Sequence, residues 1–490
     1  MTLKELKPEL IFGIFDEITK VPRPSKKEGK IRQFLIDFAE KHGIEYKTDE
    51  IGNVVMLKAA TPGYENAPTV VLQGHMDMVC EKNGGVQHDF ENDPIETFVD
   101  GEWVRANGTT LGADNGIGMA AGLAVLLSND IEHGPIEALF TVDEETGLTG
   151  AMNLGKGMIS GKYLLNLDSE EDGEICVGCA GGIDTTCTFT YEPVEAPKEL
   201  HYVKIDIKNL QGGHSGTDIN VGRASATKLI ARFLWTAAKK FNFKLATING
   251  GNLRNAIARE ASAVIGVTDF DKEAIRVELN HFIADVQNEY KHTEKTMEIT
   301  MESVEAPATV IDAKTAEAVV TSMFVCPHGV ISMSLELEGL VETSTNLASV
   351  KMLDGNRILV TTSQRSSVES RKYDIANRVE AVFASAGAKV THGDGYPGWA
   401  PNLESKVLKV AVEAHEQLFG NKPVCNAIHA GLECGLFLKD YPYMEMISFG
   451  PTLRNVHSPK EAMHIPAVGK FWDLLVKILE MIAKAYDHMA

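Results

Sequence analysis

Positive charge is scarce in this chain. Its 490 residues carry 47 Lys and Arg against 68 Asp and Glu, a net charge of −21. So acidic a chain repels phosphates, so neither nucleic acid nor an anionic membrane surface is an expected partner. Long apolar runs are missing too. The longest, Met119–Leu127, is broken by Gly122 and falls well short of the roughly 20 residues of a membrane helix. The opening stretch MTLKELKPELIFGIF has no basic n-region, no continuous apolar core and no small-residue cleavage site, so no signal peptide is expected. Cysteine is sparse and odd in number, 7 in all. That excludes a disulfide framework and fits a reduced, cytoplasmic protein. The sequon Asn107-Gly108-Thr109 then carries no glycan.

What is present is globular: 44% hydrophobic and 23% charged residues. Residues 1–45 read as two helices, the second with Ile31, Phe34, Leu35 and Phe38 at helical spacing and Gly43 as its stop. Apolar runs at Asn53–Leu57, Thr69–Gln73, Ile136–Val142 and Tyr163–Leu167 then alternate with helical stretches, including the Gly- and Ala-rich Asn115–Ser128. This order predicts an α/β domain with a largely parallel sheet. A polar, Pro-containing stretch near 190–195 reads as a linker. Beyond it Val203, Ile205 and Ile207 alternate, as in a sheet solvated on one face. A helix is predicted at Ala224–Lys239. From Val330 a similar order returns, with strands at Ile331–Leu337 and Arg357–Gln364 and a helix at Tyr373–Ala386, a weak internal duplication. A strand at Met444–Phe449 and a final amphipathic helix bearing Phe471, Leu474, Leu475, Ile478, Leu479 and Ile482 complete the chain. The predicted organisation is an α/β domain, 1–192 and 396–490, interrupted by a second domain, 193–395.

The chemistry gathers where predicted strands end, the usual place for sites in open α/β sheets. VVLQG leads into His75 and Asp77. IEALFTV leads into Asp143, Glu144 and Glu145. YLLNL leads into Asp168, and the strand MISF into a loop holding His457. Asp114 precedes the Gly-rich helix. Any one of these alone is an ordinary satisfied pair or solvated face. Imidazoles and carboxylates converging from several strand ends are a metal-site composition. His75, Asp114, Glu145, Asp168 and His457 suffice for two metals if one carboxylate bridges. Asp77, two residues from His75, suits a carboxylate that fixes a ligand. Glu144 and Glu145 point apart, so one can bind metal while the other serves as general base. Cys176-x-x-Cys179 lacks a second pair, and Gly116, Gly118 and Gly122 do not fit GxGxxG, so zinc-ribbon, redox and nucleotide readings fail.

The segments GHMDMV (74–79), TTLGADNGIGMA (109–120), TVDEETGLTG (141–150), NLDSE (166–170), GGHSG (212–216), HAGLECG (429–435) and NVHSPKEAM (455–463) resemble those of the aminoacyl-histidine dipeptidases (Xaa-His dipeptidases, or peptidase D). These belong to the di-zinc exopeptidase superfamily, and the resemblance runs along essentially the whole chain. It implies two divalent metals, Zn or else Co or Mn. His75 and Asp168 would hold one, Glu145 and His457 the other, and Asp114 would bridge them. It further implies Asp77 orienting His75, Glu144 as base, and a cis peptide at Asp114-Asn115. The inserted α+β domain would be a lid whose His214 polarises the scissile carbonyl. Asn255 and Arg365 would hold the substrate's carbonyl or carboxylate, Gly431 would let backbone approach the substrate, and Glu433 would meet its amino terminus. A duplicated lid supplies His214 within one chain, whereas a simple lid needs a homodimer. The family's NLRNAIPRE here has Ala258 in place of the proline. The implied activity is hydrolysis of dipeptides such as β-alanyl-histidine. The alternatives are an N-acyl amino acid amidohydrolase of the same superfamily, or a catalytically silent metal-binding protein, against which the retained Glu144 argues.

Overall fold

The computed structural model describes residues 2–487. Two compact units emerge. The first comprises Met1–Gly178, Pro401–Ala427 and Leu432–Ala490, the second Cys179–Ala400 and Ile428–Gly431.

In the first unit, strands Val70–His75, Ile136–Thr141 and Tyr163–Asn166 form the parallel centre of an eight-stranded sheet, joined in parallel by Glu445–Ser448. The first three are buried along their whole length, as their unbroken apolar character requires of strands covered on both faces. Strands Glu45–Thr48 and Val54–Lys58 close one side antiparallel. The register places His75 opposite Thr141 and Gln73 opposite Asn166. The residues that follow these strands therefore leave the sheet from one rim.

Helix Ala113–Leu127 lies against strand Val70–His75. Gly116 and Gly118 allow close approach: a Cβ on Gly118 would fall 2.6 Å from the Asn115 amide and would also strike the Leu167 carbonyl. Helices Glu9–Ile18 and Gly29–His42 match the two predicted, with Gly43 left-handed at the second stop. The final helix, Ile465–Asp487, buries the expected stripe from Phe471 to Ile482 and packs on helix Lys406–Phe419. A small antiparallel sheet of Thr97–Asp100, Trp103–Ala106, Ala462–His464 and Leu453–Arg454 frames the loop with His457.

The second unit is a nine-stranded sheet, antiparallel in every pairing. Helices Ala226–Ala238, Lys272–Glu289, Ala313–Val325 and Glu369–Ser385 contribute to its core. Val203, Ile205 and Ile207 are buried and Lys204, Asp206 and Lys208 less so, as the alternation predicted, although Tyr202 is buried as well. Three expectations change. The stretch read as a linker contains strand Pro193–Glu195, paired with Thr309–Ile311. The second unit begins before residue 193, because strand Gly181–Thr190 pairs end to end with Arg357–Ser366. The strand expected at Ile331–Leu337 is Gly329–Met333; beyond it the chain turns, leaving Leu335 97% exposed, and re-enters as Val341–Leu353.

Candidate metal centre

His75 ends a central strand with its imidazole almost fully buried. Its Nε2 lies 3.0 Å from Asp114 Oδ1 and 3.5 Å from Asp168 Oδ1. Its Nδ1 faces Asp77 Oδ1 at 3.3 Å. His457, from the loop after Leu453–Arg454, brings Nε2 to 3.1 Å from Asp114 Oδ2 and 3.0 Å from Glu145 Oε2. Asp114 thus lies between two imidazoles, one oxygen toward each. The peptide bond from Asp114 to Asn115 is cis, as the resemblance implied. Ligand atoms of His75, Asp114 and Glu145 all lie within 4.8 Å of one another, a spacing that could hold a metal ion.

Electrostatics test the fit. Each Nε2 can offer at most one proton, yet each faces two carboxylates. Asp168 Oδ1 is buried and accepts no hydrogen bond. Burial opposes protonation of His75, but Asp168, Asp114 and Asp77 outweigh it and hold its pKa well above the usual value. Hydrogen bonds to Asp114 and Glu145 raise His457 to about 11. Burial drives Asp168 and Glu144 well above the carboxylate range, and neighbouring carboxylates add to the effect. Burial also lifts Glu170 to about 7. Without protons, this many anions around two imidazoles lack enough positive charge. Divalent cations taking nitrogen and oxygen donors supply it, so the residues fit the implied metals.

Asp77, fully buried, does more than face His75. It accepts the backbone N–H of Glu144 at 3.0 Å, that of Glu145 at 3.3 Å and the Ser25 hydroxyl at 2.7 Å. Asp143, at φ 50°, turns the chain into that short helical segment. Glu145 then reaches His457, whereas the Glu144 carboxylate has no hydrogen bond or ion pair among the described residues.

Two residues here carry no motif signal of their own. Arg23, 2% exposed, donates to the carbonyls of Met76, Asp77 and Gly112, tying the His75 strand end to the approach to Asp114. Glu461 accepts four successive backbone N–H groups, from Leu111 at 2.7 Å to Asp114 at 3.4 Å. It joins the His457 loop to the Asp114 loop. It lies inside NVHSPKEAM, four residues after His457, and that spacing is its one sequence trace. Glu433 is buried beneath the strand ends, accepting from Gln73 at 2.6 Å and Thr141 at 2.9 Å. Burial raises its pKa to about 7. Gln73 in turn accepts from Asn166, continuing a polar row across the parallel strands.

The second unit holds the other expected residues. His214 Nδ1 accepts the N–H groups of Gly216 and Thr217, each at 3.2 Å. Burial and then Arg365 lower its pKa, favouring neutral imidazole with the proton on Nε2. The loop pairs with the Asn255 segment: Ser215 N–H donates to Asn255 at 2.8 Å and Ile257 N–H to Gly213 at 2.9 Å. This pairing fixes the segment although Ala258 stands where the family has proline. The Asn255 side chain is exposed. Arg365, near the end of strand Arg357–Ser366, is 7% exposed. A Cβ on Gly431 would come within 2.9 Å of the Tyr396 ring, so that aromatic side chain by itself demands glycine there.

Known proteins resemble this chain in sequence and fold. The Escherichia coli (strain K12) cytosol non-specific dipeptidase is 41% identical over 480 residues, 98% of this chain and 99% of its own. The aminoacylhistidine dipeptidase of Vibrio alginolyticus superposes with a TM-score of 0.90 at 42% identity, covering 98% of both chains. The aminopeptidase PepT of Bacillus cereus shares the fold, with a TM-score of 0.58 at 18% identity over 98% of this chain and 99% of its own. The family model for peptidases M20/M25/M40 matches residues 71–481. With its sheet, its strand-end carboxylates and its paired imidazoles, the chain belongs to peptidase family M20/M25/M40.

Proposed function

We propose that this peptidase is a cytoplasmic, metal-dependent dipeptidase acting on unblocked dipeptides with C-terminal histidine, β-alanyl-histidine among them. The observation that carries the reading is Asp114 held between His75 and His457, with Glu144 unpaired next to the ligand Glu145. Two relatives above 40% identity over nearly the whole chain bear dipeptidase names, which supports the reaction class. One is named a cytosol non-specific dipeptidase and the other an aminoacylhistidine dipeptidase; the reading of C-terminal histidine rests on the resemblance of ADNGIG, NLRNAI and HAGLECG to the aminoacyl-histidine branch.

His75 and Asp168 would hold one metal, Glu145 and His457 the other, with Asp114 shared; zinc suits the donors, and cobalt or manganese would also bind. Bound metals supply Lewis acidity, which makes water easier to deprotonate and stabilises negative charge on a carbonyl oxygen. Glu144 takes the proton of the attacking water and returns it to the leaving amine. Asp77 holds the His75 ring from its Nδ1 side and fixes the backbone of Glu144. His214, with Nδ1 occupied as an acceptor, offers its Nε2 proton to the developing oxyanion. Arg365 takes the terminal carboxylate through its planar fork, and Asn255 the carbonyl. Glu433 anchors the polar row under the strands through Oε2, and its buried Oε1, which has no hydrogen-bond partner among the described residues, would meet the substrate's amino terminus. The inserted unit acts as the lid.

A panel of Ala-His, β-alanyl-His, Ala-Ala and N-acetyl-His, assayed with and without chelator, tests the reading. Metal-dependent cleavage led by the His dipeptides is expected. Faster hydrolysis of N-acetyl-His, or undiminished turnover after verified metal removal, would overturn it.

A further inference from the structure

Among the described residues, the buried or half-buried cations Lys372, Arg23, Lys228 and Arg365 differ in how fully their donors are met. Lys372 donates to the Glu369 carboxylate and to a backbone carbonyl. Arg23 and Lys228 each donate to three backbone carbonyls. Arg365 has no carboxylate partner among the described residues, and its contacts are two neutral hydroxyls. Ser215 Oγ is 3.4 Å from its Nε, and Tyr396 Oη accepts from Nη1 at 2.9 Å. With two hydroxyl contacts where Arg23 and Lys228 each have three carbonyls, the Arg365 guanidinium keeps unmatched N–H donors, and an arriving anion is their natural partner.

Tyr396 is itself fixed on several sides. Its backbone pairs with Gly182 in both directions, N–H to O at 2.8 Å and O from N–H at 3.1 Å. Its carbonyl also accepts the fully buried Lys372 ammonium at 2.7 Å. The ring is confined between two glycines. A Cβ would lie 2.7 Å from it at Gly182 and 2.9 Å from it at Gly431. The phenol oxygen accepts from Arg365 and keeps its own proton, and burial raises its pKa, so that proton stays on.

We propose that Tyr396 is a specificity-determining residue of the carboxylate subsite, holding the Arg365 guanidinium in place and donating its phenolic hydrogen to the same substrate carboxylate. Gly182 and Gly431 lack side chains because the ring occupies that space. The proposal rests on the reading of Arg365 as the carboxylate contact, and it adds a second, neutral donor. A neutral donor beside a cation discriminates a terminal carboxylate from an amide more sharply than the cation alone, because the amide meets it with a single carbonyl oxygen.

The test compares Ala-His with its C-terminal amide, using the metal-loaded wild type, Tyr396→Phe, Arg365→Gln and Gly431→Ala. Tyr396→Phe keeps the wedged ring and removes one oxygen, so the fold should survive. KM for Ala-His should rise about ten- to a hundredfold, the range for one hydrogen bond to a charged group. Its kcat should hold within about twofold, and the acid-to-amide preference should fall by about the same factor as KM rises. Gly431→Ala, which presses on the ring, should shift the preference the same way. An unchanged preference in Tyr396→Phe alongside its loss in Arg365→Gln would overturn the role of Tyr396 and leave Arg365 standing. Equal losses on acid and amide would reduce Tyr396 to packing and also overturn the proposal. A wild type indifferent to the terminal carboxylate, with Arg365→Gln silent, would remove the Arg365 reading itself.

Discussion

Glu144 and Glu145 are identical side chains at consecutive positions, and the backbone sends them to different surroundings. Asp77 accepts both of their amides, which fixes the turn, and Glu145 then meets His457 while Glu144 stays unpaired. Glu144→Gln should therefore retain bound metal and lose about 10²–10⁴ of kcat, the range for a general base. Metal content measured beside kcat checks this, and near-normal turnover with metal bound would refute the role. His429 yields a pH prediction. It is 5% exposed, its Nε2 lies 2.7 Å from Ser344 Oγ, and burial with Arg365 nearby pushes its pKa from 6.5 down to about 3. Its folded value lies below its unfolded one, so between those limits the unfolded chain binds more protons. Stability therefore falls as pH drops from about 6.5 toward 3. Urea unfolding at pH 7 and pH 5 should show a smaller drop for His429→Gln than for wild type.

At the scale of elements, the Gly-rich helix Ala113–Leu127 is where periodicity and function part company. Its apolar run predicted a buried helix, and the helix is there. The reason for Gly116 and Gly118 was not legible, because the atoms they avoid belong to Leu167, Asn115 and Arg23. Adding a Cβ at Gly118 should cost about 1–3 kcal/mol, as overpacking does, despite alanine's better helix propensity. A denaturation midpoint for Gly118→Ala at or above that of wild type would contradict the packing argument. The strand Val341–Leu353 was missed for a related reason. Its sequence VETSTNLASVKML is polar, yet its centre is buried. Thr345 and Asn346 pair with Gln364 and Ser363, and Gln364 donates to the Thr345 hydroxyl, so side-chain hydrogen bonds replace apolar alternation.

At the scale of the molecule, the excess of negative charge has a local counterpart. Asp114, Glu145, Asp168 and Glu144 crowd the same strand ends, and bound cations would relieve their mutual repulsion. Metal removal should abolish turnover and also lower the Tm. Zn²⁺, Co²⁺ or Mn²⁺ should restore both, since a ligand at a hundred times its Kd stabilises by about 2.7 kcal/mol. Calorimetry of the chelated and reloaded protein checks the Tm independently of activity. An unchanged Tm after complete metal removal would contradict the charge argument. A further expectation concerns substrate length. On the proposed reading, in which Arg365 holds a terminal carboxylate and the amino end is unblocked, dipeptides should be cleaved faster than tripeptides, and efficient cleavage of a five-residue peptide would contradict this.

The sequence by itself determined the parallel core strands, the amphipathic helices and the kinds of side chain at the strand ends. These depend on period, on apolar runs and on the donor chemistry of His, Asp and Glu, all local properties. Tertiary structure alone decided what those ends meet. Arg23 and Glu461 reach loops dozens to hundreds of positions away and bond to backbone, which carries no sequence signature. Tyr396 gains its place from Arg365 and from two glycines far along the chain. The start of the second unit shifted from 193 to Cys179 because strand Gly181–Thr190 chose its partner by long-range pairing. Backbone hydrogen bonding is nearly blind to residue identity, and close packing depends on which side chains the fold brings together, so these contacts exist only once the chain has folded.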